Sequence, residues 1–127
     1  MLEVGNAGKM IKSFTDLEAW KESHKLVLMI YDTTDNFPSK EQFVLGAQIR
    51  RAAISVTSNI AEGFGRSTTK DKKHFFTMAS GSIYEVKNQL IIARDRGYMP
   101  AGRFAEVAEQ ANCAHKILHG LLRAHKQ

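Results

Sequence analysis

The stretch RRAAISVTSNIAEGFGR, residues 50 to 66, contains the pattern that decides the fold. It opens on two arginines, continues through small and β-branched side chains, and closes on Gly63 and Gly65. Together with the residues just before it, it repeats apolar residues at intervals of three and four, which is typical of a helix with one buried face. The residues on this face are Leu45, Ile49, Ala52, Val56 and Ile60. We therefore predict a helix over residues 40–63, which starts at a Ser39–Gln42 capping box and is terminated by the glycines.

Three further segments show the same period and predict helices over residues 16–36, 69–96 and 102–124. Thr15 and Glu18 form a capping-box pattern for the first of them, and Gly97 follows the third. Long helices with short connections pack as antiparallel neighbours, so we predict an all-α fold, an antiparallel up-down-up-down four-helix bundle. Residues 11–127 are expected to form a single domain, and residues 1–10 a disordered N-terminal extension.

Composition restricts the class of protein. The chain has 127 residues, of which 43% are hydrophobic and 24% charged, as in an ordinary globular domain. No apolar run approaches the roughly 18 residues that a membrane span needs, and the first residues lack the apolar core of a signal peptide. A single cysteine, Cys113, excludes an internal disulfide and a cysteine-rich zinc site. These features predict a cytoplasmic protein.

Helix two carries a second apolar seam on the side opposite its core face. Ala47, Ile54 and Ala61 are spaced seven residues apart, and Arg51 and Ser58 run alongside them. A bundle helix has one inward face, so the second seam indicates a homo-oligomer interface, although small residues are also common on ordinary surfaces.

Several polar and small residues are expected to support packing in the bundle or between subunits. Asn59 flanks the core stripe and is a candidate for fixing helix register. Glu62 and Glu85 are expected to form ion pairs with Arg50 or Arg51. Two further expectations are a buried, hydrogen-bonded His24 and a close helix approach at Gly81, in the sequence ASGS.

No set of residues predicts an active site. The Gly-x-Gly of EGFGR follows a helix and lacks the third glycine of a dinucleotide-binding loop. His115 and His119 have a spacing that can chelate zinc, but no third ligand accompanies them in the sequence. Cys113 has no evident base to activate it. We therefore predict a non-enzymatic protein with no catalytic residue, cofactor or metal.

Positive charge indicates a polyanionic partner. The net charge is +5, and residues 41–127 carry thirteen Lys and Arg against seven Asp and Glu. The densest basic run is RSTTKDKKH, whose nucleic-acid-binding candidates are Arg66, Lys70, Lys72, Lys73 and His74. Cations at the start of a helix oppose its dipole, so local stability does not explain them, whereas contacts with RNA or DNA phosphates would. A solvated lysine-rich turn has the same composition, so both interpretations stay open.

The chain resembles the four-helix-bundle proteins named after open reading frames in intervening sequences of bacterial 23S ribosomal RNA. The segments that carry the resemblance are SFTDLEAW (13–20), IYDTTDNFP (30–38), QIRRAAISVTSNIAEGFGR (48–66), GSIYE (81–85) and QLIIARDRGY (89–98). The resemblance implies a bundle that assembles as a ring-like homo-pentamer, with no attached enzymatic activity. A related accessory protein of diversity-generating retroelements binds nucleic acid and a reverse transcriptase, so a scaffold for such a protein partner is the alternative function.

Two positions depart from the family pattern. Thr57 stands where the family usually has proline, which implies a weaker kink in helix two. Lys87 replaces a common glutamate, which makes helix three more basic.

Overall fold

A computed structural model describes residues 3–5 and 9–125. Four helices make up most of this part of the chain: α1 (Glu18–Thr34), α2 (Leu45–Phe64), α3 (Thr69–Asp95) and α4 (Ala101–Ala124). Each helix packs against the helix that precedes or follows it in the chain, and α4 also packs against α1, which closes a four-helix bundle. The prediction of an all-α four-helix bundle is confirmed. No helix in the described residues is both long and apolar enough to cross a membrane.

Two apolar clusters stacked along the bundle form its core. One cluster includes Ile30 and Ile49, and the other includes Ile60, Phe76 and Leu118, all of them fully buried. The predicted core face of α2 is confirmed, because its residues from Ile49 to Ile60 are buried and only Leu45 is half-buried. Residues of α3 and α4 complete both clusters, so each of the four helices contributes apolar residues to the core.

The start of α1 differs from the prediction. The capping box lies two residues earlier, between Ser13 and Asp16, and closes a short 3-10 turn over Phe14–Asp16. The Asp16 carboxylate accepts hydrogen bonds from the backbone N–H groups of Lys12 and Ser13, each at 3.0 Å, and these bonds lower the pKa of Asp16. The helix itself then begins at Glu18 rather than at residue 16.

The corner between α1 and α2 also differs from the prediction of a helix from residue 40. Residues Ser39–Glu41 form a 3-10 turn, and α2 begins at Leu45. The Gln42 side chain is not part of a capping box. It donates hydrogen bonds to the backbone oxygens of Thr34, at 2.7 Å, and Phe37, at 3.0 Å. It therefore satisfies carbonyl groups at the end of α1, where a helix leaves them without partners.

Close approach of two helices occurs at Gly63 and not at Gly81. A Cβ atom built on Gly63 would lie 2.7 Å from Cε1 of Phe76, whereas one on Gly81 would meet nothing within 4 Å. The prediction for Gly81 was therefore wrong, because that residue lies on the exposed side of α3.

The N-terminal segment contains a short hairpin where disorder was predicted. Strands β1 (Glu3–Gly5) and β2 (Lys9–Ile11) pair antiparallel, with Gly5 opposite Lys9. The rest of the predicted extension, residues 1–2 and 6–8, lies outside the described residues.

Candidate nucleic-acid interface and the outer face of α2

The basic run lies at one end of the bundle, where α2 ends and α3 begins. Thr68 caps α3, because its hydroxyl oxygen accepts a hydrogen bond from the backbone N–H of Asp71 at 3.1 Å. The turn therefore presents the first residues of a 27-residue helix, whose unpaired N–H groups and dipole favour negative charge.

Lys70, which is exposed, and Lys73, which is half-buried, lie together at the start of α3. Together with Thr68 and Thr69 they line a shallow depression of about 440 Å³. Neither lysine forms an ion pair within the described part of the chain. Spaced three residues apart, their ammonium groups lie on one side of α3 next to two hydroxyl groups, an arrangement that suits phosphate oxygens.

Arg66 and Lys72 are occupied by contacts within the subunit. Arg66 forms an ion pair with Glu62 at 2.5 Å and lies 4.5 Å from the centre of the Phe75 ring. The Lys72 ammonium donates to the backbone oxygen of Phe64 at 2.8 Å and lies 5.5 Å from the ring centre of the same residue. Lys72 therefore satisfies a backbone oxygen at the end of α2. The sequence did not predict this structural role, because the contact depends on the path of the turn.

His74 and the two phenylalanines that follow it differ in exposure. His74 is exposed and makes an edge-on contact with Phe75, whose ring is half-buried. Phe76 is fully buried in the core. Of the five nucleic-acid candidates, the structure therefore brings together Lys70, Lys73 and His74 as exposed or half-buried groups on the same turn of α3.

The outer face of α2 carries the predicted seam. Ile54 retains 39% of its surface, Arg51 and Ser58 are exposed, and Ala47 and Ala61 are half-buried. Large apolar residues also lie exposed on α1 and on the corner before α2: Leu28, Tyr31, Phe43 and Val44. Near the end of α2, Ser58 and Ala61 line a second shallow depression of about 480 Å³.

The remaining register candidates make their contacts within the subunit. Arg50 donates to the Thr34 hydroxyl at 2.9 Å and to the Gln42 backbone oxygen at 2.7 Å, which ties α2 to the end of α1.

Asn59 donates to the backbone oxygen of Ser55 at 2.9 Å, within its own helix, and the Ser55 hydroxyl lies 2.9 Å from that of Ser82 on α3. Glu62 pairs with Arg66, and Glu85 accepts a hydrogen bond from Gln89. Within the described subunit, neither Glu62 nor Glu85 pairs with Arg50 or Arg51.

His115, His119 and Cys113 are the residues whose spacing or chemistry raised the question of a metal site or a nucleophile. The rings of His115 and His119 lie 4.3 Å apart, but the described residues hold no group of three metal-ligating side chains. Burial raises the pKa of the Cys113 thiol, with a smaller contribution from the negative charge of Glu22, so the thiol stays protonated. His24 is not buried as predicted. It is exposed and stacks on Trp20 with ring centres 4.6 Å apart.

Comparison with known proteins gives the family. The model of the family described as 23S rRNA-intervening sequence protein matches residues 15–120. The chain belongs to this family. The crystal structure of a protein with unknown function from the S23 ribosomal protein family of Bacteroides thetaiotaomicron is similar, with a TM-score of 0.77. It is 17% identical, and the match covers 83% of this chain and 95% of that chain, so the similarity shows a shared fold alone. Curated protein sequences gave no match.

Proposed function

We propose that this member of the 23S rRNA-intervening sequence protein family is a non-enzymatic, oligomeric bundle that binds RNA or DNA through phosphate groups. The observation that carries the proposal is the pair Lys70 and Lys73, which lie beside Thr68 and Thr69 at the start of α3 and have no ion-pair partner among the described residues. A location in the cytoplasm fits a chain whose one cysteine is a half-buried, protonated thiol.

Electrostatics supports a phosphate ligand at this turn. Two lysines in the first turns of a helix lie near the positive end of its dipole, which costs a few tenths of a kcal/mol per charge at an exposed site. A bound phosphate reverses the sign of this interaction, because it attracts both the ammonium groups and the free backbone N–H groups. The contacts are to phosphates and not to bases, so we expect binding that depends little on sequence.

A salt titration tests this proposal. Fluorescence anisotropy with a labelled RNA or DNA duplex gives the affinity at several salt concentrations, and the slope of log K against log salt gives the number of phosphates neutralised. For a DNA duplex, each contact contributes about −0.9 to the slope, so the double variant K70Q/K73Q is expected to reduce it by about two.

The matched control is K25Q/K40Q, which removes the same charge from exposed lysines on α1 and on the α1–α2 corner. This variant is expected to keep the wild-type slope. Undetectable binding of the wild type at low salt, or equal effects of the two double variants, would contradict the proposed site.

A second candidate function is a scaffold for a protein partner, such as a reverse transcriptase. The exposed apolar residues Leu28, Phe43 and Val44 favour it, because large exposed apolar residues mark a surface that another protein covers. The two functions are distinguished by purifying the protein from its host and identifying the molecules that are bound to it. A nuclease-resistant protein complex supports the scaffold, whereas co-purified nucleic acid supports the first proposal.

A further inference from the structure

Four polar side chains between α3 and α4 form a continuous hydrogen-bonded chain that the proposed function does not use. The Lys87 ammonium lies 2.8 Å from Nδ1 of His115, and Nε2 of His115 lies 2.9 Å from the Ser80 hydroxyl oxygen. The same hydroxyl lies 3.3 Å from Nε2 of His119. Ser80 and His115 are buried, with 8% and 5% of their surfaces exposed, while Lys87 and His119 are half-buried at the two ends.

The donor and acceptor of each bond follow from the ammonium group. An ammonium can only donate, so Nδ1 of His115 is the acceptor and the imidazole carries its proton on Nε2. That N–H donates to the Ser80 oxygen, and the Ser80 hydroxyl is then free to donate to Nε2 of His119. The chain therefore runs in one direction, from Lys87 through His115 and Ser80 to His119.

This direction argues against a metal ion at the two histidines. A histidine that binds a metal through Nε2 carries its proton on Nδ1 and donates it to an acceptor. Here Nδ1 of His115 faces a donor, and the Lys87 charge would lie close to the metal.

Burial disfavours the charged forms of both groups at the start of the chain. Desolvation lowers the pKa of Lys87. Desolvation, the nearby Lys87 charge and His119 lower the pKa of His115 to about 4. Lys87 therefore loses its proton more readily than an exposed lysine does. His115 does not retain a second proton, so a proton accepted at one ring nitrogen is released from the other.

We propose that Lys87 is a nucleophilic amine that is acylated by small acyl phosphates, and that its proton leaves through His115 and Ser80 to His119. In the first step, His115 takes the ammonium proton at Nδ1 and releases its Nε2 proton to Ser80, whose own hydroxyl proton passes to His119. The neutral Lys87 nitrogen then attacks the acyl carbon, and the bond from that carbon to the phosphate oxygen breaks. The second amine proton goes to the departing phosphate, which leaves an uncharged amide on Lys87.

The surroundings of Lys87 admit such a donor. Tyr84, on the preceding turn of α3, is 60% exposed, and its ring centre lies 5.5 Å from the Lys87 nitrogen. Lys87 is itself half-buried, so part of its side chain remains in contact with solvent beside this ring. The net charge of +5 favours an anionic acyl donor over a neutral one.

Brief exposure of the folded protein to acetyl phosphate tests the proposal. Peptide mapping by mass spectrometry gives the acetylation rate of each lysine, and the reference is Lys116, an exposed lysine on α4. Lys87 is expected to react several-fold faster than Lys116, although it is the less exposed of the two. Equal rates in the wild type would overturn the proposal.

Two variants test the proton path, and far-ultraviolet circular dichroism checks that each is folded. H115Q keeps an oxygen that accepts from Lys87 but cannot carry a proton, and S80A removes the link to His119 while Lys87 stays half-buried. Both are expected to lower the rate at Lys87 to that at Lys116. The control H24Q changes an exposed histidine on α1 and is expected to leave the rate unchanged. A fast Lys87 whose rate neither variant changes would also overturn the proposal.

Discussion

His115 is a buried residue whose pKa lies well below that of a histidine side chain in water. It is buried between Lys87 and Ser80, and a second positive charge there would lie 2.8 Å from the first. The folded protein therefore keeps this imidazole neutral, with a pKa of about 4, whereas the unfolded chain protonates it near pH 6.5.

We expect the free energy of unfolding to decrease as the pH falls from 6.5 to 4. In this interval the unfolded state binds a proton at His115 that the folded state does not, so acidification favours unfolding, and the loss stops below pH 4, where both states bind it. At about 1.4 kcal/mol per pKa unit, the effect is of the order of 3 kcal/mol. Urea denaturation at a series of pH values measures it.

H115Q is expected to lose most of this pH dependence, and H74Q, which changes an exposed histidine, to keep it. Identical slopes for the wild type and H115Q between pH 4 and 6.5 would show that another group is responsible.

Sequence reasoning was least successful with individual polar side chains. It placed His24 in the core because the residue follows Trp20 at helical spacing, yet His24 stacks on the outside of that ring. It recognised the spacing of His115 and His119 but not their partners, since Lys87 and Ser80 are 28 and 35 residues away from His115. A periodic pattern assigns a residue to a face of its own helix. It does not say what the neighbouring helix presents there.

At the scale of the helices, the centres were predictable and several ends were not. Apolar repeats identified all four helices, because burial of one face sets their register. The ends depend on local hydrogen bonds that compete with one another. Asp16 belongs to a capping box that closes the 3-10 turn before α1, two residues before the predicted box, and Gln42 binds the end of α1 instead of starting α2. The proline expected from the family is absent at Thr57, and α2 continues through this position without interruption.

Two glycine substitutions within helices are expected to have opposite effects. Alanine is favoured over glycine in a helix by about 1 kcal/mol, so G81A, at an exposed site with nothing within 4 Å, is expected to stabilise the protein by about that amount. G63A gains the same propensity but places a methyl group 2.7 Å from the buried Phe76 ring, so we expect a net loss of about 1–3 kcal/mol. Thermal unfolding of both variants gives the two signs. Stabilisation by G63A would mean that α2 and α3 are not held together at this contact.

At the scale of the whole molecule, the exposed apolar residues on α1, α2 and the corner between them suggest self-association. Ile54 lies at the middle of the outer seam of α2 and keeps 39% of its surface exposed in the single subunit. The family resemblance implies that five subunits associate.

I54E is expected to dissociate the oligomer and to leave the helical content unchanged, because a buried, unpaired carboxylate at an interface is costly whereas the same group on a monomer is solvated. Light scattering coupled to size exclusion should give a mass several times 14.2 kDa for the wild type, about five times for a pentamer, and about 14.2 kDa for I54E. A105E, at an exposed position of α4, is the control and should retain the wild-type mass. A monomeric wild type would refute the oligomer.

The position of the Lys70–Lys73 turn at one end of the bundle has a consequence for avidity. In any assembly with rotational symmetry about an axis along the helices, every copy of this turn lies on the same rim. A nucleic acid that binds one copy then meets the next at a high effective concentration, so several weak phosphate contacts act together. A variant that separates the subunits but keeps every lysine would therefore bind nucleic acid much more weakly than the wild type, although each subunit retains its own binding site.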